Sequence, residues 1–153
     1  MRFWLLILLA GMGGAQGQSL ESAMLAAHNA VRAQVGVPPL TWSNRLAKIA
    51  QQWADHLVAN RKFSHRPHSV YGENLFAITG GTSSVEQVVD AWAGEARNFD
   101  YRRNKCHGDC GHYTQIVWSA TREVGCAVAG GKGREVWVCD YDPPGNWVGM
   151  RPY

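Results

Sequence analysis

The chain has 153 residues, 46% of them hydrophobic, and a formal net charge of +3. That length suits one domain with a sizeable core. The charge is mild and forms no basic tract, which sets nucleic acid aside as a partner. Residues 1–17 read as a secretory signal peptide. Arg2 supplies the basic start, an unbroken apolar run follows from Phe3 to Ala10, and Ala15-Gln16-Gly17 places small residues at the −3 and −1 positions. The run is too short to cross a bilayer, which takes about 20 residues. The expectation is a secreted, extracellular monomer without a transmembrane segment, its single domain spanning residues 18–153. Residues 1–17 hold one basic residue and no acid, so that domain carries +2.

The chain then opens on an amphipathic helix over residues 20–35, with Leu20, Met24, Ala27, Val31 and Val35 on one stripe and a stop at Gly36 and Pro38-Pro39. Ser43 is a good N-cap for a second helix whose stripe is Leu46, Ile49, Ala50, Trp53 and Leu57. Asn60-Arg61-Lys62 ends it on a basic turn that suits the helix dipole. Residues 63–76 are irregular, with a short strand expected over residues 73–77. Ser83 and Glu86 make a capping box for a third helix through Val85, Val88, Val89 and Trp92 to about Arg97, with Glu95 at the border of its apolar stripe. Residues 111–121 suggest a short fourth helix, with Ile116, Val117 and Trp118 as an apolar anchor behind a polar edge from His112 to Gln115. Two β-type runs, residues 124–128 and 136–141, fold into a hairpin across Gly130-Gly131-Lys132-Gly133. The proline-rich tail wraps the surface. Helices first and a hairpin last indicate an α+β layered domain.

Four cysteines in an exported chain are best read as two disulfides, for which three pairings exist. Cys106 with Cys110 would staple a tight loop, and the hairpin would bring Cys126 opposite Cys139; this pairing is preferred. A zinc site on the thiols is the competing reading. Spacings of 3, 15 and 12 intervening residues lack the two Cys-x-x-Cys knuckles it needs.

No Gly-x-Ser-x-Gly elbow, His-Glu-x-x-His helix or Walker loop is present. Isolated ionisable residues beside apolar anchors are: Glu73, Glu95, His112, His65 and His68. Two carboxylates and two imidazoles can hold a divalent metal through the imidazoles, with the carboxylates orienting the rings. The same four can equally form a buried hydrogen-bonded network that fixes the loops.

Gly-His-Tyr-Thr-Gln-Ile-Val-Trp-Ser-Ala-Thr (residues 111–121) resembles the first signature of the CAP superfamily of cysteine-rich secretory, antigen 5 and pathogenesis-related group-one proteins. Cys-Asp-Tyr-Asp-Pro-Pro-Gly-Asn-Trp (139–147) is similar to the second, and Tyr-Gly-Glu-Asn-Leu (71–75), Ala-Trp-Ala-Gly-Glu (91–95), Ala-His-Asn-x-x-Arg (27–32) and Leu-Thr-Trp (40–42) also match. The pattern is nearest to the plant-type pathogenesis-related group-one proteins. The resemblance implies an α-β-α sandwich with a central antiparallel sheet flanked by helices. It also implies a cleft lined by His65, Glu73, Glu95 and His112, where His65 and His112 can bind zinc or another divalent cation. The first histidine falls to His65 because the family places it just after the second helix, although Arg66 follows in place of the usual serine and His68 lies close by.

The resemblance supports the preferred cysteine pairing. Plant members carry a third bridge that is missing here as a whole; losing a native disulfide costs on the order of 2–5 kcal/mol. Asp140 is a second departure, at a position where the family usually has a neutral or basic polar residue. The implied function is binding of a sterol, lipid, membrane or extracellular protein partner in defence or host contact, with Tyr71, Phe76 and Ile78 and the Gly80-Gly81 loop as a possible groove rim. One alternative is a metal-dependent hydrolase or protease, in which zinc would bring a bound water to a pKa of about 7. Another is a precursor that releases residues 143–153 as a signalling peptide; the competing expectation is that this tail packs on the sandwich.

Overall fold

A computed structural model describes residues 18–153; the expected signal peptide, residues 1–17, lies outside the described residues. Helix α1 (Leu20–Gln34) starts at Ser19, whose side chain accepts from Ser22 N at 3.2 Å. It buries Met24, His28, Val31 and Arg32. A two-residue strand β1 (Thr41–Trp42) leads into α2 (Asn44–Ala59), which buries Leu46, Ala50, Ala54 and Leu57. Ser43 occupies the N-cap with extended backbone, but its side chain makes no capping bond.

Strand β2 (Gly72–Thr79) is longer at both ends than its apolar core suggests. The capping box of α3 (Val85–Ala93) is Ser84 with Gln87, one residue on from the expected Ser83 with Glu86. Ser84 Oγ accepts from Gln87 N and Gln87 Oε1 accepts from Ser84 N, while Ser83 N is drawn off to Glu135 Oε1 at 2.9 Å. The α-helix ends at Ala93 and tightens into a 3₁₀ turn, Gly94–Asn98, that carries Glu95. Short strands β3 (Phe99–Asp100) and β4 (Lys105–Cys106) pair with each other, and α4 (Gly111–Ile116) follows. Strands β5 (Glu123–Gly131) and β6 (Arg134–Asp142) meet at Lys132-Gly133, both at positive φ, the geometry of a tight type I′ hairpin.

The main sheet runs β1-β5-β6-β2. The three long strands are antiparallel, and the short edge strand β1 is parallel to β5. On one face α2 covers Leu75, Ala127, Ala129, Val136 and Val138. On the other, α1, α3 and α4 enclose Val124, Cys126, Cys139 and Tyr141. This is the expected α-β-α sandwich. Both disulfides join as expected, Cys106 to Cys110 and Cys126 to Cys139, the second between residues directly opposite in the β5–β6 register.

The tail packs on the helical layer. Gly145 N donates to Gln115 Oε1 at 3.0 Å, Pro152 O accepts from Ser119 N at 2.6 Å, and the Tyr153 and Tyr113 hydroxyls lie 2.9 Å apart. Gln115 is fully enclosed here because Gly72 and Gly145 lack side chains; a Cβ on Gly72 would sit 2.1 Å from Gln115 Oε1. Gly125 plays a similar part behind the sheet, where a Cβ would lie 2.2 Å from Ala47 N and 2.6 Å from Ser43 O at the start of α2. Backbone cannot give way as a side-chain tip can. Gly125→Ala is therefore expected to cost at least about 1–3 kcal/mol in urea unfolding. Gly130→Ala, on the same strand with nothing within 4 Å, should change stability by less than about 0.5 kcal/mol.

Candidate functional site

His112 is the second residue of α4, and Glu95 holds it from the preceding turn. One Glu95 oxygen accepts from His112 Nδ1 at 2.6 Å; the other accepts from the backbone N–H of His112 at 2.9 Å and of Tyr113 at 3.4 Å. A carboxylate thus caps a helix N-terminus and orients an imidazole with the same group. Trp92 stacks along the His112 ring, with centroids 6.1 Å apart. From the sheet side, Asn74 Nδ2 donates to His112 O at 3.0 Å and to the Tyr141 hydroxyl at 3.1 Å. Tyr141 in turn lies 2.9 Å from His28 Nε2, and His28 Nδ1 lies 2.8 Å from Met24 O. A carbonyl only accepts, so Nδ1 carries the His28 proton and Nε2 takes the Tyr141 O–H. Burial lowers the His28 pKa from 6.5 to about 4, which keeps this chain of bonds neutral.

The opposite wall comes from the α2–β2 connection. His65 Nδ1 lies 2.7 Å from Glu73 Oε1, which also accepts from Arg66 N at 3.1 Å. The bond to Glu73 raises the His65 pKa. Glu73 is directly opposite Asp140 in the β2–β6 register, and the Arg66 guanidinium serves both, at 3.8 Å from Glu73 Oε2 and 2.9 Å from Asp140 Oδ2. Glu73 Oε2 and Asp140 Oδ1 are buried without a hydrogen-bond partner. Burial raises the Asp140 pKa from 3.8 to about 6, against the pull of Arg66.

His65, Glu73 and His112 line one cavity of about 220 Å³, together with Asn74, Asp109 and Asn146. Glu95 stands behind His112 rather than in the lining. His68 sits outside the cavity, on a turn at φ 55°. Tyr71, Phe76 and Ile78 are placed apart: Arg45 bonds the Tyr71 hydroxyl and covers its ring at 5.1 Å, Phe76 packs on the core beneath α1 and α3, and Ile78 lies where a Cβ on Gly81 would meet its Cδ1 at 3.8 Å. Asn146 and Asp109 were not singled out from sequence; the Gly-Asn-Trp motif was the available signal for the first.

Both cavity imidazoles have Nδ1 engaged by a carboxylate, and neither Nε2 has a partner among the described residues. That donor set fits a cation taking neutral imidazole nitrogen. Among the described residues, three or more metal-ligating atoms gather within 4.8 Å only at His28, Cys126 and Cys139, where the two sulfurs are bonded to each other.

The profile of the CAP family, the cysteine-rich secretory protein family, matches residues 25–141. This chain belongs to that family. It is 39% identical to pathogenesis-related protein 1 of Arabidopsis thaliana over 97% of this chain and 95% of the relative. It is 43% identical to the basic form of pathogenesis-related protein 1 of Nicotiana tabacum, over 90% and 78% respectively. Among solved structures, venom allergen-like protein 4 of Schistosoma mansoni matches with a TM-score of 0.72 and 29% identity, covering 89% of this chain and 95% of that one. The crystal structure of NaASP2 with Zn2+ matches with a TM-score of 0.73 and 26% identity, covering 91% and 88%.

The two shifted groups act on stability with opposite sign. Between pH 3.8 and about 6, folded Asp140 holds a proton that the unfolded chain has lost, so its contribution favours the fold as pH falls. Between 6.5 and about 4, folded His28 lacks a proton that the unfolded chain has gained, so its contribution is lost as pH falls. Asp140→Asn removes only the first. Its stability relative to the parent protein should drop on the order of 3 kcal/mol between pH 7 and pH 4, read by urea unfolding at each pH. Parallel pH profiles for the two proteins would show that Asp140 does not titrate in this window.

Proposed function

We propose that this is a secreted, pathogenesis-related-type protein that acts by binding, and that its cavity takes a divalent cation, zinc first, through His65 and His112. The observation that carries the reading is the paired carboxylate–imidazole geometry, 2.7 Å for Glu73 with His65 and 2.6 Å for Glu95 with His112. Each carboxylate fixes the tautomer and the orientation of its ring and makes the free nitrogen more basic. Two imidazoles leave coordination positions open, so a bound cation would supply a Lewis-acidic site for an oxygen of water or of a binding partner. Similarity to the NaASP2 crystal structure with Zn2+ and to plant pathogenesis-related proteins supports the cation and the defence setting. The hydrogen bonds of the tail to Gln115, Ser119 and Tyr113 support a packed role for residues 143–153 over release as a peptide.

Calorimetric titration of the purified protein with zinc chloride should give about one site per chain. His112→Ala should abolish it, and Glu95→Gln should weaken it by about 10–100-fold, the usual effect of losing a ligand's hydrogen-bond partner. Heats that are unchanged when His65 and His112 are both replaced by Ala, with the far-ultraviolet spectrum retained, would end the proposal.

A further inference from the structure

We propose that the tail loop (residues 147–151) and the adjoining β3–β4 turn (residues 101–105) form a docking face for an anionic lipid bilayer. This extends the binding reading by naming a partner and a surface, and it does not use the cation cavity. Six large apolar side chains are exposed among the described residues: Phe63, Val70, Tyr101, Trp147, Val148 and Met150. Four of the six lie on these two segments, and Val70 shares a cavity with Trp147. Val148 is fully exposed and Trp147 and Met150 are more than half exposed. Apolar groups scattered singly need no explanation, but a cluster of them at adjoining loop tips marks an interaction surface.

The two segments are fastened into one face. Asn104 Nδ2 donates to Met150 O at 3.1 Å. Arg151 donates to the carbonyls of Tyr101 and Arg102 and lies 5.3 Å over the Tyr101 ring, which stacks on Tyr153 at 4.9 Å. Trp147 donates its indole N–H to Pro144 O at 3.1 Å, so the ring can leave water without stranding a polar hydrogen. Cavities of about 260 and 480 Å³ flank Trp147, one towards Asn104, Cys106 and Met150, the other towards Val70 and Pro144.

Charge decides the occupant. Arg102, Arg103 and Lys105 lie on the same turn as Tyr101, Arg151 follows Met150, and all four are exposed. Asp100 pairs with Arg103 at 2.8 Å, and Arg102 and Lys105 have no acidic partner among the described residues. Exposed Trp, Val and Met that share their segments with exposed cations match an interface where apolar side chains enter beneath the headgroups and cations meet lipid phosphates and carboxylates. A convex tip such as Val148 needs no complementary pocket in a fluid bilayer, whereas a folded protein partner would have to supply one.

The test is co-flotation of the purified protein with vesicles of phosphatidylcholine alone and of phosphatidylcholine with an equal part of phosphatidylserine. Binding is expected only to the mixed vesicles, with a blue shift of tryptophan emission and weakening as salt rises. Val148→Asp and the double change Arg102→Glu with Lys105→Glu, all at exposed positions, should each reduce binding by roughly tenfold or more while zinc titration stays as in the parent protein. Failure to bind either vesicle overturns the proposal and leaves the face to a protein partner. Equal binding to both vesicle types, or binding that persists in both variants, also overturns it. Loss of vesicle binding in His112→Ala alone would move the lipid contact to the cation cavity.

Discussion

The join between α1 and the end of α4 hangs on one buried cation. Arg32 has no side-chain exposure, and its guanidinium donates to the carbonyls of Pro38 at 2.7 Å, Ile116 at 2.7 Å, Trp118 at 2.9 Å and Thr121 at 3.3 Å. Among the described residues no acid pairs with it; carbonyl dipoles take the place of water and of a counter-ion. Burial lowers its pKa to about 10, which still leaves it charged. Helix α4 has six residues, far fewer than an isolated helix needs in water. It persists because a carboxylate, Glu95, meets its N-terminus and a guanidinium meets the carbonyls at its C-terminus, each sign matched to the helix dipole. The position of His112 is the product of these two clamps.

The two faces of the sheet solve their polar problems differently. Behind the helical layer, Met24 O, His28, Tyr141, Asn74 and His112 O form a run of neutral hydrogen bonds with each donor matched to an acceptor. On the α2 side, the same strands present Glu73 and Asp140 side by side with only Arg66 between them, so charge there exceeds what hydrogen bonding satisfies. Alternation along β2 and β6 sorts the residues: Asn74 and Tyr141 face one layer, Glu73 and Asp140 the other. The cavity is reached from both systems, His112 through the neutral one and His65 through the charged one.

Helix stripes and the hairpin were legible because their periods are local. Position within the helix was not enough for α1: His28 and Arg32 follow Met24 at spacings of four and lie on its buried face, but a stripe counted from apolar residues passes over them. Their roles depend on groups more than eighty residues away, the Tyr141 hydroxyl for His28 and the carbonyls of Ile116, Trp118 and Thr121 for Arg32, which no local pattern encodes. The capping box slipped by one because Ser83 and Ser84 are both competent caps, and a contact from Glu135 on β6 decides between them. The four cleft residues followed from motif resemblance, and the pairing of each carboxylate with its histidine emerged only in three dimensions. Of the expected rim residues, Phe76 and Ile78 share one side of β2 and Phe76 packs on the core, while Tyr71 precedes the strand and is held by Arg45.

Gln115 ties together positions far apart in the chain. Gly72 and Gly145 leave room for its amide, and its Oε1 accepts the Gly145 N–H. A larger residue at 72 would demand a shorter one at 115, a larger one at 145 would collide with Trp118 as well as Gln115, and a shorter residue at 115 would leave the Gly145 N–H without its acceptor. Substitutions at the three sites are therefore not independent. They behave as one packing unit spread over residues 72 to 145, in which a change at one position alters what the others can hold.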